Sequence, residues 1–198
     1  MRTLHAVLVA AVLAASCTIS ERGPAGDGPD AGLAATYTKQ EVMIPMRDGV
    51  SLFTSILIPS DDSEPHPILL RRTPYSCRPY GADAFPQESP LQMARYLREG
   101  YIVVCQDVRG RYMSEGEYAN VRPYIPIKDG PEDVDETTDT YDTVEWLVAN
   151  LDTDNGKVGI SGISYPGFYA WMGTIDAHPA VAATSPQAPV SKWMAGDD

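Results

Sequence analysis

The sequence is short of the residues that most metal and redox chemistry requires. It has three Cys and three His in 198 residues, with no C-x-x-C pair and no His-rich cluster. No metal site and no cofactor are therefore expected. Positive charge is also scarce. Fifteen Lys and Arg stand against 27 Asp and Glu, giving a net charge of −12 and a pI near 4.5. Nucleic-acid binding needs a basic footprint, so that class is excluded. The acidity suits a cationic or zwitterionic substrate, but equally a solvated acidic surface. Internal repeats are absent. The unbroken apolar run, residues 6–15, is about half of the ~20 residues a spanning helix needs.

What is present begins at the N-terminus. A short basic lead, Met1-Arg2-Thr3-Leu4-His5, precedes the apolar run, as in a secretory signal. The run ends at Ala14-Ala15-Ser16-Cys17, which resembles a bacterial lipobox, with Ala14 where Leu is usual. Residues 1–16 are read as a signal peptide and Cys17 as the lipid-bearing residue; plain secretion is the alternative. Either way the protein is expected to be exported, touching a membrane only through that lipid. Residues 17–36, rich in Gly, Pro, Asp and Ala, read as a flexible tether. A folded unit is expected over 37–198, with 43% hydrophobic residues in the chain to build a core. In an oxidising compartment Cys77 and Cys105 could pair. Cys105 also lies in an apolar strand-like run, where a buried free thiol fits as well.

Strand and helix signals alternate along this unit. Val42-Met43-Ile44-Pro45-Met46 and residues 50–59 flank Arg47-Asp48-Gly49, a hairpin signal, and alternation in the second run implies one buried face. A short strand at 66–73 is followed by a helix at 91–98 with Met93, Ala94 and Leu97 on one face. A buried strand follows at 101–107. Asp107, Arg109 and Arg111, in the loop beyond, read as structural charges paired with neighbours. Thr137-Thr138-Asp139 can cap a helix, and Asn155-Gly156 reads as a turn. This order indicates an α/β fold, a mostly parallel sheet with crossover helices and an antiparallel N-terminal hairpin.

Residues 157–172 carry the chemistry. An apolar strand, Val158-Gly159-Ile160, leads through Gly162-Ile163-Ser164-Tyr165-Pro166-Gly167 into the apolar helix Phe168-Tyr169-Ala170-Trp171-Met172. Strand, small-residue turn with a central Ser, then helix is the nucleophile-elbow pattern. The turn leaves no room for bulk near Ser164, which Gly162 satisfies. Pro166 suits a first helical turn but has no N–H, so Tyr165 is the backbone donor nearest Ser164 and a candidate oxyanion-hole arm.

The chain resembles the cocaine-esterase/X-Pro dipeptidyl-peptidase (CocE/NonD) family of α/β-hydrolases, and within it the α-amino acid ester hydrolases. The resemblance rests on Val42 to Val50, Arg72-Thr73-Pro74-Tyr75, Gln106-Asp107-Val108-Arg109-Gly110-Arg111, Asp135 to Asp139, Tyr141 to Leu147, the Ser164 motif and Gly196-Asp197-Asp198. It implies that Ser164 is the acyl-accepting nucleophile, the Tyr165 N–H one oxyanion donor and the Tyr75 hydroxyl the other. It also implies that Asp198 joins a carboxylate cluster holding a substrate α-ammonium. Pro166 stands where this subtype often has Glu.

A Ser nucleophile needs a His base and an acid. His5 lies in the signal, His66 before a strand, and His178 matches a family His-Pro that is not the base. The chain is therefore read as the N-terminal part of an α/β-hydrolase domain, with the triad acid and base beyond residue 198. The expected function is serine hydrolysis of esters or amides of α-amino acids or short peptides. X-Pro dipeptidyl-peptidase activity is the first alternative, and a truncated, non-catalytic binding lipoprotein the alternative of another class. The partner is a small-molecule or peptide substrate; the sequence sets no oligomeric state.

Overall fold

The computed structural model describes residues 29–86 and 91–190. Its first element is a short helix, α1 (Pro29–Ala34), inside the stretch read as tether. Leu33 of α1 packs against Tyr37, Leu57 and Val103, so this apolar side chain binds the end of the stretch to the domain.

Strands β1 (Tyr37–Pro45) and β2 (Ser51–Pro59) pair antiparallel from Tyr37↔Pro59 to Pro45↔Ser51. The turn between them is closed by Met46 N–H to Val50 O (2.8 Å), and Gly49 sits at φ 85°, which glycine adopts without steric penalty. The expectation of one buried face on β2 is corrected. β2 lies inside the sheet, so Leu52 and Ile56 enter one core while Leu57 enters another on the opposite face.

β3 (His66–Thr73), α2 (Leu91–Arg98), β4 (Ile102–Asp107), α3 (Glu136–Asn150), β5 (Asp154–Ile163), α4 (Tyr165–Met172) and β6 (Val181–Gln187) follow. The six strands form one sheet in the order β1-β2-β4-β3-β5-β6. β4, β3, β5 and β6 are parallel; β2 joins β4 antiparallel. Asn155-Gly156 is not a free turn. Both residues lie in β5, where its register with β3 shifts between His66 and Ile68, and Gly156 at φ 72° takes up the irregularity.

α3 and α4 cover one face, burying Val144, Leu147 and Ala170 against Ile56, Ile68, Leu70, Val104, Val158 and Ile160. α2 covers the other with Met93 and Leu97. The helix after β3 and the helix after β5 thus leave adjacent strands toward opposite faces. Such a divergence opens a crevice at the carboxyl edge of a parallel sheet.

α3 starts earlier than expected. Asp135, rather than a Thr, is its N-cap. It accepts from the Thr137 and Thr138 N–H groups at 2.9 and 3.0 Å, while Thr138 Oγ1 accepts from Asp135 N–H. This reciprocal box is worth about 1 kcal/mol. Glu136 and Asp139 then enter a buried polar network. Arg72, with a fully buried side chain, donates to Gln106 Oε1 (2.8 Å), Glu136 Oε2 (3.0 Å) and Thr140 Oγ1 (2.9 Å). Arg109 bridges Asp48 and Asp139, each at 2.6 Å. Burial pushes the Glu136 carboxyl up to about 7, against the pull of Arg72. The network ties hairpin turn, β3, β4 and α3 into one body.

Cys77 and Cys105 form a disulfide with Cα atoms 5.7 Å apart, which decides between the two readings of these residues. It fastens the loop after β3 to β4. The bond closes a separation of 28 residues, for which loop entropy gives a stabilisation of about 3–4 kcal/mol. Cys77→Ser/Cys105→Ser should therefore melt roughly 5–15 °C below the parent in a calorimetric scan. An unchanged melting temperature would contradict this assignment.

Candidate active site

Ser164 sits between β5 and α4 with φ 61° and ψ −121°, a conformation that L residues rarely adopt. Such strain is worth about 1–3 kcal/mol and persists only where the surroundings over-determine it. Here the Ser164 N–H donates to Gln187 O of β6 (3.0 Å), and its carbonyl accepts from the Phe168 N–H (3.1 Å). The residue is exposed at the carboxyl edge of the sheet.

Two glycines make the bend fit. A Cβ on Gly162 would lie 2.1 Å from Pro166 O, and one on Gly167 would lie 2.6 Å from Gln187 O. Both positions are backbone-on-backbone contacts, so nothing soft can yield. The role of Gly162 was legible in the motif. That of Gly167 was not, because the wall it meets belongs to β6, some twenty residues on.

Tyr165 opens α4, placing its backbone amide beside Ser164. Its side chain is anchored. The hydroxyl lies 2.7 Å from Asn120 Oδ1, 2.8 Å from the Tyr118 hydroxyl and 2.9 Å from the Val121 N–H, and its ring stacks on Tyr169 at 5.3 Å. Burial and the bond to Tyr165 push the Tyr118 phenol up to about 12. Tyr75, two residues beyond β3, presents its ring edge-on to Tyr165, with centroids 6.2 Å apart. It is 59% exposed. The crevice between diverging helices thus brings together Ser164, Tyr165 and Tyr75, whose extremes are 90 residues apart in the sequence.

Of the three charged residues expected to be structural, Asp107 and Arg111 also reach this edge. Arg109 stays in the buried network. Asp107 accepts from the Cys77 N–H (2.8 Å) and the Tyr80 hydroxyl (2.9 Å); Arg111 Nε donates to Pro74 O (3.1 Å). Their partners flank Tyr75, a connection invisible in the linear sequence.

Neither described histidine serves Ser164. His66 Nε2 lies 2.7 Å from Asp61 O. His178 Nδ1 accepts from the Ala180 N–H (3.0 Å) and its Nε2 lies 2.7 Å from Glu145 Oε2. Among the described residues no group of three or more His, Cys, Asp and Glu side chains is placed to hold a metal ion. Cys17 and Asp198 lie outside the described residues.

Gly162→Ala or Gly167→Ala should lower the unfolding free energy by at least about 2 kcal/mol in denaturant titrations. Gly130→Ala, whose added Cβ meets nothing within 4 Å, serves as control and should change it by less than about 0.5 kcal/mol. Equal behaviour of all three variants would contradict the account of the bend.

Residues 48–197 match a family model described as X-Pro dipeptidyl-peptidase (S15 family). The chain is 35% identical over 145 residues to the cocaine esterase of Rhodococcus sp. (strain MB1 Bresler), spanning 73% of this chain and 22% of that protein. An α-amino acid ester hydrolase of known structure matches at 39% identity with a TM-score of 0.71, over 92% of this chain and 30% of that one. An aminopeptidase from a marine sediment archaeon, Thaumarchaeota archaeon, matches at 39% identity and TM-score 0.73, over 93% of this chain and 30% of that one. The chain thus spans 22% to 30% of the length of these relatives. It belongs to the X-Pro dipeptidyl-peptidase (S15) family and has the α/β-hydrolase fold of the CocE/NonD hydrolases.

Proposed function

We propose that this chain carries the nucleophile side of a serine hydrolase site, acting through an acyl-enzyme on esters or amides of α-amino acids or short peptides. The observation that carries this reading is the exposed Ser164 held at positive φ between strand and helix, with Tyr75 packed against the next residue. Ser164 Oγ attacks the acyl carbon and gives its proton to a histidine base. The carbonyl oxygen takes up the negative charge, facing the Tyr165 N–H and the Tyr75 hydroxyl. Collapse expels the alcohol or amine, which recovers the proton, and water then hydrolyses the ester on Ser164. The base and its carboxylate partner come from outside the described residues.

The substrate class is supported by relatives whose names specify an amino acid ester hydrolase and an aminopeptidase. Asp198 is proposed to face the α-ammonium of such an acyl group, where a carboxylate is the natural partner. A second reading, release of X-Pro dipeptides, is favoured by the family match. Export with a lipid on Cys17 is also proposed. The Cys77–Cys105 disulfide supports it, because such bonds persist in oxidising compartments.

The test is kinetic, on the complete gene product. Ser164→Ala should lower kcat on an α-amino acid p-nitrophenyl ester by at least about 10³-fold. The ester should outrun its N-acylated analogue by more than about tenfold if a carboxylate holds the ammonium. Faster turnover of an X-Pro anilide than of either ester selects the peptidase reading. Undiminished turnover by Ser164→Ala would overturn the proposal.

A further inference from the structure

Tyr75 can stabilise charge above Ser164 only if an exposed loop is held still. Ser76, the next residue, has φ 88°, so this loop does not keep its shape by intrinsic preference. Both flanks of Tyr75 are gripped from the segment that leaves β4. Before Tyr75, Arg111 Nε donates to Pro74 O at 3.1 Å. After it, Asp107 Oδ1 accepts from the Cys77 N–H at 2.8 Å, and Cys77 is bonded to Cys105 of β4. The Tyr75 N–H itself donates to Thr73 Oγ1.

Arg111 does more than hold a carbonyl. Its guanidinium carbon lies 4.9 Å from the Tyr118 ring centroid and 5.2 Å from that of Tyr112. Tyr118 in turn donates its hydroxyl to the Tyr165 hydroxyl at 2.8 Å. One side chain therefore connects the peptide preceding Tyr75 to the phenol that anchors Tyr165.

We propose that Arg111 is a positioning residue for Tyr75, bracing the Tyr75 loop against the Tyr118–Tyr165 pair. The inference rests on the reading of Ser164, Tyr165 and Tyr75 given under Proposed function. The chemistry of guanidinium fits the task. It is planar, permanently charged and weakly hydrated, so an in-plane N–H can bond a carbonyl while its face packs on an aromatic ring. A lysine ammonium is a compact, strongly hydrated charge and cannot do both in one geometry. Arg111 touches no reacting atom in this scheme. Its loss should therefore displace the Tyr75 hydroxyl, weakening an interaction made in the transition state and leaving ground-state binding alone.

A double-mutant cycle on the complete gene product tests this, with an α-amino acid p-nitrophenyl ester as substrate. Arg111→Gln should lower kcat by about 10- to 100-fold with KM changed by less than about twofold. Tyr75→Phe should lower kcat by about 10²-fold. In the Tyr75→Phe background, Arg111→Gln should remove less than about a further threefold, because the group it positions is gone. Arg111→Lys, which keeps a cation beside the tyrosine rings, carries the same cycle if Arg111→Gln does not fold. An equal fold-loss in both backgrounds, or a change confined to KM, overturns the positioning role while leaving the site assignment intact. A Tyr75→Phe enzyme as fast as the parent contradicts the site assignment itself, and the positioning role falls with it.

Discussion

The close approach of three backbone segments around Ser164 is the constraint on which the site depends. Residue 162 meets the carbonyl of Pro166, residue 167 meets the carbonyl of Gln187, and Ser164 is bonded to that same Gln187 carbonyl. These contacts hold a serine at a backbone conformation that its neighbours in sequence would not impose. The outcome is a hydroxyl raised above the carboxyl edge of the sheet. β6 is therefore more than the next strand: it supplies the acceptor that pins the bend.

Topology does the rest of the assembly. Because β3 and β5 are adjacent while their following helices lie on opposite faces, the loop bearing Tyr75 and the bend bearing Ser164 must share one crevice. The buried network of Arg72, Gln106, Glu136, Asp139 and Arg109 fixes α3 against β3 and β4 beneath this crevice. Breaking such a network by removing one partner typically costs about 3–5 kcal/mol, whereas exposed ion pairs contribute little. Rigidity below and a tethered loop above are what the proposed oxyanion site requires, since its donors must already point at the developing charge.

Much of this was legible because it is local. Asp48-Gly49 between apolar runs gave the hairpin, and Gly162 with Ser164 and the apolar residues after them gave the elbow. Most of the features that differ from the sequence reading, or that it left open, depend on partners beyond their own segment. β2 is buried on both faces because α3 and α4 cover one side of the sheet and α2 the other, which its own pattern cannot show. The cap of α3 shifted to Asp135, a carboxylate that also accepts from the Ile125 N–H in the preceding loop. Cys77 and Cys105 were compatible with a bond or a thiol until the loop after β3 was seen to fold back over β4. Arg111 reads from the sequence as a structural charge paired with a neighbour, but which peptide it holds is not legible there, because that peptide lies 37 residues earlier.

The central claim is that Ser164 is the activated nucleophile. The most direct measurement is labelling of the complete gene product with a fluorophosphonate, followed by peptide mass spectrometry. The account predicts one stoichiometric adduct on the peptide containing Ser164, prevented by an excess of substrate ester. No adduct on that peptide, or an adduct on a different serine with Ser164 unmodified, would contradict it.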